Sequence, residues 1–435
     1  MPVVVAILTT TVLGIPVTLL IDRNARGPIL VGLSYLYGTA VIYFVELALA
    51  LLGVRWTLFD VNLLTIIVSA ACYVAKGKGS VAAGSGASVE RRWRWSVVDL
   101  ATVIMVAAFT SFATIARMWE WDFWAIWGLK ARTFFEFGTI DWRFLQSPWN
   151  DFAHPDYPLL VPFNYVYASL TAGVWSDRWI GFITVAFGVA LILIVRGLAS
   201  METTPNLAAA IAFASTVFAL SRFVGLAEGP MSACAGAGLL FLRRAFLYDD
   251  SQAMRHGALL IGLAAAVKDE GSALLMTVVI AVALVNRRSL LRLWPAFAVA
   301  LPWIVIRALH RYQSPFMRGD FTGRVAHRIS HPAEMTALLF HYLNSRWMWL
   351  GIVVALFVVP FSMLVRERFV LLAFALQIGA YVAVYFGTPY GVEWHIATSW
   401  SRVPNHVATP LLYVVMLMLA RTYDSAHAEA RPEQQ

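Results

Sequence analysis

Repeated apolar runs long enough to cross a lipid bilayer constrain this chain more than any other feature of it. A hydrocarbon core of roughly 30 Å takes about 20 consecutive apolar residues as a helix. Such runs fall at about 3–21, 29–53, 56–75, 97–116, 178–197, 206–225, 229–247, 289–308, 348–365, 369–387 and 405–421. Of the 435 residues 60% are apolar and only 13% charged, about half the usual charged share of roughly 25%. That leaves too little polar surface to cover a water-soluble fold of this size. A soluble enzyme, a disordered chain and a secreted disulfide scaffold are excluded on the same ground, and the chain reads as an all-α, polytopic membrane protein.

The net charge of +8 does not point to nucleic acid. The basic residues lie between apolar spans and form no stripe with an RNA- or DNA-binding motif. The only cysteines, Cys72 and Cys234, sit inside apolar runs, where a thiol behaves as a small hydrophobe. No disulfide framework or cysteine metal site follows from them.

Lys and Arg in the short connections set an orientation. Arg23 and Arg26, then Lys76, Lys78, Arg91, Arg92 and Arg94, mark cytoplasmic segments. The N-terminus is then outside and segment 117–157 is extracytoplasmic. The first run has no basic leader and no clear cleavage site, so it reads as a retained helix. The scheme closes only if 256–286 leaves the cytoplasm and returns to it as two short helices broken at Lys268-Asp269-Glu270-Gly271. Charged backbone of that kind is tolerated at membrane depth only beside a watery cavity. The Gly/Ser/Ala-rich stretch 76–90 reads as a flexible linker. It divides the chain into three additional transmembrane helices at 1–75, a cytoplasmic linker at 76–96, a core at 97–421 and a cytoplasmic tail at 422–435. About 13 transmembrane or half-membrane helices are expected, with no internal repeat of the inverted-transporter kind.

Two extracytoplasmic segments carry the charges that break this pattern. Segment 117–157 holds six acids, four bases and six Trp. Trp124, Trp127, Ala131, Phe134 and Phe135 recur at helical spacing, which predicts an interfacial amphipathic helix anchored by its aromatics at headgroup level. Segment 309–347 holds Arg311, Arg318, Arg324, Arg328 and Arg346 and four of the nine His, against only Asp320 and Glu334. Cationic charge on the outer side opposes the positive-inside bias, and a phosphate is its simplest partner, since Arg grips phosphate through paired charge-assisted hydrogen bonds. A carboxylate can take a proton from an acceptor hydroxyl while Lys and Arg stabilise a departing phosphate, a set suited to group transfer from a lipid phosphate.

The run Asp122-Phe-Trp-Ala-Ile-Trp-Gly-Leu-Lys130-Ala131, followed by His154-Pro155-Asp156-Tyr157-Pro158-Leu159-Leu160-Val161-Pro162, resembles the first extracytoplasmic loop of GT-C superfamily glycosyltransferases. It is most similar to bacterial members akin to protein O-mannosyltransferases and aminoarabinose transferases. The resemblance continues in Ala265-Ala266-Val267-Lys268-Asp269-Glu270-Gly271 and in Glu393-Trp394-His395 with Thr398-Ser399-Trp400-Ser401-Arg402. It covers roughly 97–421. The resemblance implies a polyprenyl-phosphate-linked sugar as donor, a glycan, lipid or protein as acceptor, and multi-pass residence in a cell inner membrane with the active site extracytoplasmic. It also implies an acid in the first loop that acts as base or orients the acceptor. Asp122 matches that acid by position, whereas the family often shows adjacent acids and here Trp121 separates Glu120 from Asp122, so either can carry the role.

Each candidate has a plainer alternative. Asp122 would serve equally as a helix N-cap. His154, Asp156 and Tyr157 orient substrate or form a rigid proline-flanked turn. Lys268 binds a lipid phosphate, or pairs with Asp269 or Glu270 to hold the turn. Arg402 binds the phosphate or snorkels toward headgroups. Glu228 presents an acid to the cavity from a short outer turn. Glu270, Arg324, Arg328, Glu393 and His395 complete the expected substrate-binding set. Glu46, lone within the second run, is expected to pair with a neighbouring helix. His327 and His331 are four apart, but Pro332 follows and no third metal ligand is evident. No metal is assigned, and because the family includes metal-dependent and metal-independent enzymes, a divalent metal stays open. A transporter or flippase for lipid-linked sugars and a non-catalytic assembly subunit are the rival readings.

Overall fold

The structure is a computed structural model that describes residues 2–78, 94–115, 118, 120–221, 223–333, 335–336 and 347–429. The linker expected at 76–90, together with Glu334 and Arg346, therefore lies mostly outside the described residues. Those described are helical with no strand, and eight helices are long and apolar enough to cross a membrane. The protein is thus a multi-pass, all-α membrane protein.

Three helices lead the chain, α1 (Pro2–Ile21), α2 (Gly27–Leu51) and α3 (Leu58–Lys78). The first two cross with almost no gap. A Cβ on Gly14 would stand 1.8 Å from the Ser34 carbonyl oxygen and one on Gly38 the same distance from that of Thr10, so only glycine allows this approach. The leading helices do not stand apart from the rest. Tyr35 donates to the Ile183 carbonyl, Asn164 to that of Thr39, and the Tyr37 hydroxyl meets His256 Nδ1 at 2.7 Å. One hydrophobic core therefore runs through both parts of the chain.

After α4 (Val97–Ile115) a π-turn at Phe123–Trp127 leads into α5 (Gly128–Phe137), followed by the short α6 (Trp142–Gln146) and a 3-10 turn at Pro148–Ala153. Trp127, Ala131 and Phe134 are buried in the core, whereas Trp121, Trp124 and Trp149 are exposed. The helical spacing was legible, but one stripe of it seals the interior and only part of the tryptophan set is left for headgroups.

The bundle continues through α7 (Leu160–Ala172), α8 (Asp177–Glu202), α9 (Pro205–Ala219), α10 (Glu228–Tyr248), α11 (Ser251–Val267), α12 (Asp269–Asn286) and α13 (Trp294–Leu309). Then come α14 (Phe321–Ser330), α15 (Trp347–Val358), α16 (Phe361–Arg366), α17 (Arg368–Gly387), α18 (Val392–Ser399) and α19 (Asn405–Glu429). Every residue from Phe223 to Arg243 is buried, which makes α10 the central helix.

Helices α11 and α12 form a hairpin whose only non-helical residue is Lys268. With 17 and 18 residues each arm is about 26 Å long, nearly a full crossing. The break expected at Lys268-Asp269-Glu270-Gly271 falls at Lys268, which stands at the hairpin tip. The turn is tight because a Cβ on Gly271 would lie 1.9 Å from the Ala264 carbonyl oxygen.

Two ionic assemblies occupy opposite ends of the bundle. At one end Arg243 of α10 bonds Glu202 of α8 at 2.6 and 3.0 Å and Glu367, which leads into α17, at 2.6 and 2.7 Å, while Tyr413 and Arg421 of α19 also reach Glu202. Arg196 and Asp99 pair at the same end. These buried charges are tied to one another because an unpaired charge would be costly there. The opposite end gathers the candidate site.

Candidate active site at the Lys268 turn

The first group of charges is assembled from four separate parts of the chain. Asp122 opens the π-turn, and its backbone is helical with no side-chain cap hydrogen bond, so the N-cap alternative falls. Its Oδ2 instead accepts from Arg402 Nη1 at 2.6 Å. Arg402 comes from the turn before α19 and stands 3.6 Å from Glu228 Oε1 at the start of α10. Lys268 bonds the same Glu228 oxygen at 3.1 Å and Glu270 Oε1 at 2.9 Å. The result is one chain of contacts, Asp122, Arg402, Glu228, Lys268, Glu270, with Glu228 only 2% exposed. Three carboxylates face two cations, so no cation is left without an internal counterion.

A second group adjoins the first through the hairpin tip. Asp269 accepts from Arg307 of α13 at 2.9 Å, and Arg307 lies 3.9 Å from Asp156. Asp156 is fully buried, with His154 Nδ1 at 3.6 Å. His154 has a left-handed backbone, φ 51°, a conformation that costs energy for a non-glycine residue and tends to persist where surroundings fix it. Lys130 Nζ does so by donating to the His154 carbonyl at 2.7 Å, and Trp303 Nε1 donates to that of Asp156. The rings of His154, Tyr157 and Trp127 stack in succession at 4.5 and 5.5 Å, with Lys130 over the last two.

Burial lowers Lys130 to about 7, although Asp156 and Asp269 oppose the shift. Burial likewise lowers His395 to about 4. Arg402 resists the lowering effect of its burial because Glu228 and Asp122 hold it protonated, and its net shift is upward.

Around these groups lies a concentration of buried polar atoms without a hydrogen-bond partner among the described residues. Donors are Trp127 Nε1, Trp400 Nε1 and Arg402 Nε; acceptors are both Asp156 oxygens, Glu228 Oε2 and Glu270 Oε2; His154 Nδ1, His395 Nδ1 and His406 Nε2 can be either by tautomer. Buried polar atoms are ordinarily satisfied. Unmatched donors and acceptors intermixed at one site suit a hydroxylated ligand, which both donates and accepts.

Of the residues singled out in the sequence, Asp122, Glu228, Lys268, Glu270 and Arg402 meet in the first group and His154 and Asp156 in the second. Tyr157 is locked in the ring stack. Glu120 lies two residues before Asp122, and its carbonyl accepts from the Phe123 and Trp124 amides. His395 packs on Phe316, Tyr385 and Tyr390, while Glu393 is exposed on the same short helix. Arg324 and Arg328 do not join the cluster. Arg324 donates to the Gly387 and Phe316 carbonyls and Arg328 to those of Tyr385 and Phe386, where they cap the C-terminal end of α17, whose last carbonyls lack helical partners. Glu46 corrects a further expectation: it is fully buried, yet its carboxyl has no hydrogen-bond partner among the described residues.

Arg307, Asp269 and Lys130 were not placed at the site from sequence. Arg307 is a lone cation near the end of an apolar run, and that position was the signal available. His327 and His331 lie side by side at 4.5 Å between ring centroids, but no group of three or more His, Cys, Asp or Glu among the described residues could hold a metal.

No family model matches this sequence, and comparison with characterised proteins and with solved structures yields no match either.

Proposed function

We propose that the protein is a membrane glycosyltransferase that moves a sugar from a polyprenyl-phosphate donor to an acceptor hydroxyl at the extracytoplasmic face of the inner membrane. The observation that carries this reading is the shared cluster, in which a carboxylate on one loop and two cations from the bundle end are linked through Glu228. The surrounding mixture of unmatched donors and acceptors supports a hydroxyl-rich substrate.

In this reading the donor phosphate competes with Asp122 and Glu228 for Arg402 and Lys268. Once Arg402 turns to the phosphate, Asp122 is released to act as general base. The acceptor hydroxyl oxygen attacks the anomeric carbon, its proton passes to Asp122, and the bond from that carbon to the phosphate oxygen breaks. The electron pair stays on the phosphate, which Lys268 and Arg402 stabilise. A single displacement inverts the anomeric centre. Lys268 at a hairpin tip argues against the transporter alternative, whose coupling groups belong in helices broken near the midplane.

The test is incubation of purified protein with a panel of polyprenyl-phosphate sugars, with and without acceptors. Release of polyprenyl phosphate with transfer of the sugar supports the reading; movement of intact donor across vesicles without bond cleavage refutes it.

A further inference from the structure

A cleft of about 480 Å³ opens beside the second group of charges, between the loop 145–155 and the segment 309–318. Two of its lining residues are chain neighbours of that group: Pro155 precedes Asp156, and Leu309 follows Arg307 by two residues. Its volume lies in the range of roughly 300–1,000 Å³ typical of small-ligand sites.

The cleft is built for a polar guest. His310 and Tyr312 line it, held in a stack of near-parallel rings with Trp142 behind, at 4.7 and 5.4 Å and interplanar angles of 11° and 12°. Gln146 Nε2 meets His310 Nδ1 at 2.9 Å, which fixes the ring further. The Tyr312 hydroxyl is buried without a hydrogen-bond partner among the described residues. On the floor Arg318 and Asp151 neutralise each other through two bonds of 2.5 and 2.7 Å. Arg311 differs from both. It is exposed, its backbone is left-handed with φ 56°, and its guanidinium has no partner among the described residues. One uncompensated cation therefore overlooks a rigid aromatic wall and a neutral polar floor.

A sugar ring has an apolar C–H face that lies against aromatic rings and a hydroxyl rim that pairs with amide, phenol and carboxylate groups. A carboxylate on that sugar would meet Arg311 as a charge-assisted pair. We infer that the cleft is the acceptor subsite and that the acceptor is an acidic saccharide. This rests on the glycosyltransferase reading and extends it. A lipid-linked donor needs an apolar path for its tail, whereas Gln146, Asp151, His310, Arg311 and Arg318 in the lining suit a hydrated acceptor that enters from water.

The experiment measures binding in nanodiscs, without donor, of trigalacturonate and of the same trisaccharide with its carboxyls reduced, by saturation-transfer NMR. Trigalacturonate is expected to bind, and Arg311→Ala to weaken it by about ten- to a hundredfold, as loss of one charge-assisted hydrogen bond implies, while the neutral trisaccharide is unaffected. Gln146→Ala should weaken both saccharides. Equal binding of the two saccharides by the native protein, an unchanged affinity in Arg311→Ala, or no binding of either would overturn the inference. Failure of the glycosyltransferase reading would show separately, as saccharide binding that persists while no donor of the panel releases polyprenyl phosphate, with acceptor or without.

Discussion

Replacing Asp122 by Asn separates a catalytic carboxylate from a merely structural one, because the two roles change binding and turnover in different directions. The Asp122 to Arg402 bond is 2.6 Å long, with side chains 24% and 16% exposed. A hydrogen bond to a charged group in such a setting contributes about 1.5–3 kcal/mol. If a donor phosphate must displace that carboxylate to reach Arg402, removing the charge removes the competition. Affinity for polyprenyl phosphate should then rise by up to about tenfold to a hundredfold. Sugar transfer should fall by roughly 10²- to 10⁴-fold, the usual contribution of a positioned general base. Binding is read by titrating polyprenyl phosphate in nanodiscs, and turnover by its release from the donor. A structural ion pair predicts that both quantities fall together as the loop loosens. Unchanged turnover in the variant would remove Asp122 from the chemistry, and weakened phosphate binding would refute the competition argument.

Other perturbations test the frame that holds the site. Arg243→Met leaves Glu202 and Glu367 buried with only their weaker partners, so thermal unfolding should show a loss of about 3–5 kcal/mol while the folded fraction keeps its activity, since this cluster lies at the far end of the bundle. Gly271→Ala places a methyl 1.9 Å from the Ala264 carbonyl oxygen and should abolish accumulation of folded protein. Gly379→Ala meets nothing within 4 Å and should leave yield unchanged or stabilise by about 0.5–1 kcal/mol. Lys130 is lowered from its usual 10.5 to about 7. Between these values the unfolded chain binds more protons than the folded one, so this group makes stability rise with pH by up to about 1.4 kcal/mol per unit. Lys130→Met should flatten that part of a Tm-against-pH curve, and an unaltered slope would refute the assignment.

Asp122, Glu228, Lys268, Glu270 and Arg402 each break a pattern that is local in the chain. A carboxylate before an aromatic helix, or a lysine between two apolar runs, stands out without any knowledge of contacts, because a charge beside an apolar span is costly unless something compensates it. Pairing is not local. Asp122 and Arg402 are 280 residues apart, and no periodicity connects them. Arg324 and Arg328 show the converse, since a cationic segment on the outer side suggested phosphate, while the unmet carbonyls they satisfy exist only once α17 has ended beside α14.

Hydropathy and run length by themselves determined that the chain is helical and crosses a membrane several times, and charge placement singled out Asp122, Glu228, Lys268, Glu270 and Arg402, which the fold brings together. Both follow from the cost of transferring each residue into lipid, a cost that depends on the residue and its immediate neighbours. Only the tertiary structure decided that Lys268 stands at the tip of a tight hairpin, that Arg307 links Asp269 to Asp156, and that the three leading helices share one core with the rest. Those outcomes depend on how helices pack, and packing is set by close approaches such as Gly14 on Ser34 and by the burial of paired charges, which no single segment specifies.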